Sequence, residues 1–110
     1  MEKLNHPLKY VLTEKATLDL EEIWIYTFKT WSKSQADFYY LDLLKAFDFI
    51  AKHSSSKNIK NCPIKPYFTL KVNSHVVYFK TNTVNNYIEI IRILHKRMDI
   101  EKQIKPLESI

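Results

Sequence analysis

The chain contains no glycine at all, and only one cysteine, two methionines and two arginines, in 110 residues. The missing glycine removes whole classes of chemistry. Gly-x-Gly-x-x-Gly and Walker-type loops need glycine so that the backbone can approach phosphate closely, and a Gly-x-Ser-x-Gly nucleophile elbow is equally impossible. A lone Cys62 can form no internal disulfide and offers no Cys-x-x-Cys metal clip. His6, His53, His75 and His95 show no metal-ligand spacing. No apolar run reaches the ~20 residues of a membrane span, and the first residues lack the apolar stretch of a secretory signal. These absences point to a cytoplasmic protein with no metal, no cofactor and no membrane contact.

Acidic residues are missing from one long stretch. Residues 49–88 hold six lysines and no aspartate or glutamate, whereas residues 1–48 hold eight acids and six lysines. Such a stretch builds a positive surface if its lysines converge, suited to nucleic acid or to an acidic protein segment. Otherwise it is a solvated basic face. Among fifteen lysines, the two arginines, Arg92 and Arg97, fall in one six-residue window. That placement hints at a need for the forked guanidinium there.

What is present reads as one α+β domain over residues 1–110, with residues 1–6 and 105–110 as frayed tails. Residues 8–12 read as a first strand. Thr13 is a hydroxyl N-cap for a helix over 14–31, whose apolar stripe is Ala16, Leu20, Ile23, Trp24, Thr27 and Trp31. Ser32 and Gln35 match a capping box that restarts the chain as a second helix. Its stripe is Ala36, Tyr39, Tyr40, Leu43, Phe47, Ile50 and Ala51. Both tryptophans are expected in the core. So tight a junction predicts an antiparallel helical hairpin. Residues 53–61 read as a loop. Strands follow at 67–72, 75–81 and 87–94, with Asn73-Ser74 and residues 83–86 as turns. A short helix is expected over 96–104. The order is β-α-α-β-β-β, with the helix pair on one face of a three-stranded antiparallel meander and a cationic trough between the two layers.

Three segments carry a resemblance. The first is Asp19-Leu20-Glu21-Glu22-Ile23, then Tyr26-Thr27, Trp31 and Gln35-Ala36. The second is Cys62-Pro63-Ile64-Lys65-Pro66-Tyr67-Phe68, leading to Ser74-His75-Val76-Val77-Tyr78-Phe79-Lys80. The third and most specific is Ile88-Glu89-Ile90-Ile91-Arg92-Ile93-Leu94-His95-Lys96-Arg97-Met98-Asp99. In order and spacing, residues 10–104 resemble the ParE branch of the RelE/ParE toxin superfamily. The family usually has arginine where Lys65 and Lys80 stand, and glycine near Pro66 and Asn73. The resemblance implies a toxin of a type II toxin–antitoxin pair. It would inhibit DNA gyrase and be neutralised by a ParD-like antitoxin, acidic and ribbon-helix-helix in type. It implies no cofactor and no accepted catalytic residue. A RelE-type relative would instead cut messenger RNA on the ribosome, and an inactive member kept for its antitoxin complex is the third reading.

RNA cleavage needs a general base, a general acid and cationic stabilisers. Arg92, His95, Arg97 and Tyr78 are the candidates. An offset of three along a strand places Arg92 and His95 on opposite faces, unless a bulge or the strand end intervenes. Arg92 could alternatively pair with Glu89, His95 could cap a strand end, and Met98 could be ordinary core. For antitoxin or target binding the candidates are Lys65, Tyr67, Phe68, Lys80, Arg92, Arg97 and Met98. Lys65, Tyr67, Phe68 and Lys80 are expected to lie near one groove, although neighbours in a strand can also pack on alternate faces.

Overall fold

The computed structural model describes residues 9–53, 58–62 and 64–98. The elements run β1 (Lys9–Leu12), α1 (Glu14–Thr30), α2 (Lys33–Lys52), β2 (Lys60–Asn61), β3 (Phe68–Val72), β4 (His75–Asn82) and β5 (Tyr87–His95). They form one five-stranded sheet in the order β1-β5-β4-β3-β2. The last three long strands are the expected antiparallel meander. The first strand joins it in parallel beside β5, from Lys9↔Tyr87 to Leu12↔Ile90. The segment expected as a loop also contributes a two-residue edge strand, β2. Lys96–Met98 is a turn, closed by the Met98 amide donating to the His95 carbonyl at 2.9 Å. The rest of the expected terminal helix, and both expected frayed tails, lie outside the described residues.

Local chemistry places the helices. The Thr13 hydroxyl accepts from the Ala16 amide at 3.1 Å and donates to the Ile91 carbonyl at 2.9 Å. One side chain thus caps α1 and fastens its start to β5. Ser32 caps α2 by accepting from the Gln35 amide at 3.1 Å. The hairpin lays Leu20, Ile23, Leu43, Phe47 and Ile50 on Val77, Phe79, Ile88, Ile90 and Ile93 of the sheet. Each such burial stabilises by roughly 1.5–3 kcal/mol. Phe68 joins this core and stacks on Phe79 at 5.9 Å. Asn73 turns the β3–β4 hairpin at φ 55, a left-handed value that asparagine tolerates better than most residues in a chain without glycine.

A β-bulge decides the far end of β5. Tyr78 pairs with Arg92 but Phe79 pairs with Ile90, so Ile91 is the extra residue. Ile91 turns to the outer face, into a second small core with Cys62 and Tyr67, flanked by Ile64 and Tyr78. Alternation restarts after it, so Ile93 rather than Arg92 faces the main core.

Two expected core residues stand elsewhere. Trp31 is 72% exposed, because it is the C-cap of α1 with ψ −81 and has left the helical stripe. Tyr40 is exposed because it lies ~100° round the helix from the inward-facing Tyr39. Trp24 is half-buried between the helices, stacked on Phe28 and donating its indole N–H to Asp37 at 3.0 Å.

Candidate binding groove beside the last strand

The β1 strand ends opposite Ile90, and among the described residues no strand pairs with β5 on that side beyond it. The side of α1 covers that edge and supplies its missing partner. Asp19 accepts from the Ile93 amide at 2.9 Å and from Arg92 through Nε at 2.7 Å and Nη2 at 2.9 Å. A carboxylate 9% exposed therefore completes the ladder and holds a forked ion pair. These bonds hold the Arg92 guanidinium still more firmly protonated than usual. Arginine suits this place because a lysine could not offer two parallel donors.

Next to this pair opens a cavity of about 670 Å³. Asp19, Glu22, Tyr26 and Trp31 border it from the α1 side, Tyr39 from α2, and His75, Arg92, Leu94, His95 and Met98 from the sheet. The Tyr39 hydroxyl sits 2.7 Å from His75 Nδ1 and accepts from the Ser74 amide at 3.2 Å, tying α2 to the β3–β4 turn. Burial, with a smaller push from nearby His95, lowers the His75 pKa to about 4, so His75 is neutral near pH 7. The neutral ring can accept the Tyr39 proton, and burial raises the Tyr39 pKa. His95 faces His75 across the ladder, with ring centroids 5.4 Å apart. Its Nδ1 accepts from the Arg97 amide at 3.1 Å.

The sequence candidates divide between places. Arg92 and His95 border the same cavity, although the register between them is regular and their alternation stands. The bulge lies just before Arg92, and Asp19 draws the guanidinium round the open edge. Arg92 pairs with Asp19 and not with Glu89, which instead lies 3.8 Å from Lys80. Met98 is exposed at the lip of the groove rather than in the core, and Arg97 is exposed beside it. Tyr78 belongs to the outer face, half-buried against the second core, and burial raises its pKa.

Lys65, Tyr67, Phe68 and Lys80 do not line the groove. Tyr67 is buried on the outer face with Lys80 Nζ 6.0 Å from its ring centre, whereas Phe68 points to the main core. Lys65 is exposed on the loop that carries Tyr67. The mid-chain lysines Lys60, Lys71 and Lys80 share the outer face, by their register with Thr69, Val76 and Glu89. The space between helices and sheet is therefore aromatic and mixed in charge, not a lysine trough. Asp19, Glu22, Tyr26, Tyr39 and His75 were not read as site residues from the sequence. Asp19 carried a usable signal, an acid in the middle of a buried helical stripe, three residues after Ala16 and four before Ile23.

Among the described residues there is no group of three or more potential metal ligands, and no helix long and apolar enough to cross a membrane. Residues 10–100 match the family model described as ParE toxin of type II toxin-antitoxin system, parDE. Toxin ParE1 of Mycobacterium tuberculosis (strain ATCC 25618 / H37Rv) is 33% identical over 98 residues, spanning 87% of this chain and 97% of the relative. Toxin ParE1 of Caulobacter vibrioides (strain ATCC 19089 / CIP 103742 / CB 15) is 32% identical over 90 residues, spanning 82% and 91%. In fold, a chain of the chromosomal ParDE TA system from P. aeruginosa superposes with a TM-score of 0.72 at 17% identity, over 82% of this chain and 97% of that one. A chain of the toxin-antitoxin complex RelBE2 from Mycobacterium tuberculosis gives 0.56 at 13%, over 83% and 100%. With the family model covering most of its length, the chain belongs to the ParE toxin family of type II toxin–antitoxin systems.

Proposed function

We propose that this chain is a growth-inhibiting toxin that acts in the cytoplasm by binding DNA gyrase, and that a ParD-like antitoxin holds it inactive. The target and the partner are carried over from the family. One structural observation favours binding over RNA cleavage, namely that Arg92 is already committed to Asp19. A phosphorane stabiliser must face the developing charge with donors to spare. Here the most buried cation near the histidines is matched by a carboxylate of its own chain. His75, neutral and bonded to Tyr39, serves as a structural clamp.

The groove suits the antitoxin better than it suits a substrate. Tyr26, Trp31 and Met98 offer exposed apolar surface for the anchors of a segment that folds as it binds. Lys96 and Arg97 beside Met98 supply charge for the acidic residues of that segment. A RelE-type endonuclease is the second reading, and its support is that Arg92, His75 and His95 border one cavity.

Induced expression with and without the adjacent reading frame separates these readings. The gyrase reading expects a DNA-damage response with translation intact, relieved by the neighbouring frame. Rapid loss of messenger RNA with intact DNA would support the endonuclease instead. Normal growth in both arms would leave an inactive family member.

A further inference from the structure

A second apolar surface lies on the hairpin's outer side, facing away from the sheet and distinct from the groove. On α1, Leu18, Ile25 and Phe28 are 51%, 46% and 46% exposed. At 100° per residue, Leu18 and Phe28 lie within ~60° of Ile25 round the helix, so the three form one stripe. A shallow cleft bounded by Glu21, Trp24, Ile25, Asp37 and Tyr40 runs beside it between the helices. Leu41 of α2 adds further exposed apolar surface.

The charges on this stripe have a symmetry that points to its occupant. Glu21 lies four residues before Ile25 and Lys29 four residues after it. They sit ~40° to either side of Ile25 round the helix. No ion pair within the described residues engages either one. A two-fold axis beside Ile25, with the helices antiparallel, brings Glu21 of each copy level with Lys29 of the other. It also sets Ile25 against Ile25. A surface whose acid and base exchange places under the dyad is self-complementary, as a closed dimer interface requires. The contact is that of a weak, transient dimer. The 17 residues of α1 span ~25 Å, and since α2 flanks α1 on one side only, the dyad sets the two α2 helices on opposite sides, so the copies overlap by about one helix width, ~10 Å, and together cover about 500 Å².

We propose that this outer hairpin face is a homodimer interface, occupied by the same face of a second copy of this chain with the dyad at Ile25. The interface is separate from the groove, so both can be filled at once. It does not depend on the identity of the target.

The test uses the purified full-length chain. An Ile25→Cys substitution places a thiol on the dyad, where antiparallel helices approach closely enough for a disulfide. The native Cys62 is buried. A Lys15→Cys chain, with its thiol ten residues from the axis, is the control. Mild oxidation should give covalent dimer at least about tenfold faster for Ile25→Cys than for the control, because only that thiol has a high effective concentration of its partner. Sedimentation velocity on chains without added cysteine gives an independent readout. Glu21→Lys and Lys29→Glu should each weaken the dimer several-fold at low salt, and the double reversal should restore it. Far-ultraviolet circular dichroism checks that each variant is folded. Equal cross-linking at both positions would overturn the proposal. So would a monomer at about 100 µM, a double reversal that recovers nothing, or a thiol at position 25 shielded only when the antitoxin is bound.

Discussion

Removing the Asp19 carboxylate is the sharpest perturbation available to this fold. In Asp19→Ala the Arg92 guanidinium keeps its charge and low exposure but loses its forked pairing to Asp19, while the Ile93 amide loses its acceptor. Breaking a buried ion pair from one side costs about 3–5 kcal/mol. An orphaned amide carries a penalty of about 1–3 kcal/mol, partly shared with the first because both arise from one carboxylate. A domain of this size has about 5–15 kcal/mol in all, so the variant should be near the edge of stability. With a urea slope of about 1.5 kcal/mol/M, the midpoint should fall by roughly 2–3 M. Asp19→Asn keeps an acceptor for Ile93 and should lose about half as much. Asp19→Leu combined with Arg92→Met removes both charges together. It should cost at least about 2 kcal/mol less than the sum of its single changes. Urea titration followed by tryptophan fluorescence, with Trp24 between the helices, measures these proteins together with the single variants Asp19→Leu and Arg92→Met that the sum requires. A midpoint shift under about 0.5 M for Asp19→Ala, or an additive double variant, would refute the reasoning.

Further outcomes are expected elsewhere. The folded state holds the His75 pKa below its ordinary value, at about 4, so the unfolded chain takes up a proton first as pH falls. Its contribution is present above pH ~6.5 and is lost as pH drops toward 4. The melting temperature of His75→Gln should therefore fall less steeply than that of the unsubstituted chain over that window. Tyr39→Phe removes the hydroxyl that receives the Ser74 amide and should cost about 1–2 kcal/mol. Hydrogen exchange should show the Ser74 amide opening faster. Trp31→Ala should change stability by less than about 0.5 kcal/mol, because the side chain is exposed. It should weaken antitoxin binding at least tenfold, about 1.4 kcal/mol, as read by calorimetry. Lys65, on its exposed loop, and Lys80, on the outer face, do not line the groove, and Lys65→Ala and Lys80→Ala should leave that affinity within about threefold.

Local chemistry alone determined much of this molecule. Thr13 and Ser32 announce both helix starts because a capping hydroxyl acts within three residues, and both caps are made. Asn73-Ser74 marks its hairpin for the same reason of range. The period of two in the last strands and the helical stripe of α2 follow from which face each element must bury. Tertiary structure decided the rest. No local rule pairs Asp19 with Arg92 across 73 positions, because a buried carboxylate is placed by the fold that needs it. Strict alternation from Ile88 and Ile90 would turn Arg92 inward, and the single extra residue Ile91 reverses the side-chain faces for the rest of β5. Trp31 and Tyr40 look like core in a list of apolar residues. A helix end and one step of rotation put them in solvent. The acid-free stretch is plain in the sequence, but which face of the sheet its lysines occupy depends on the register of strands that only the packed molecule brings together.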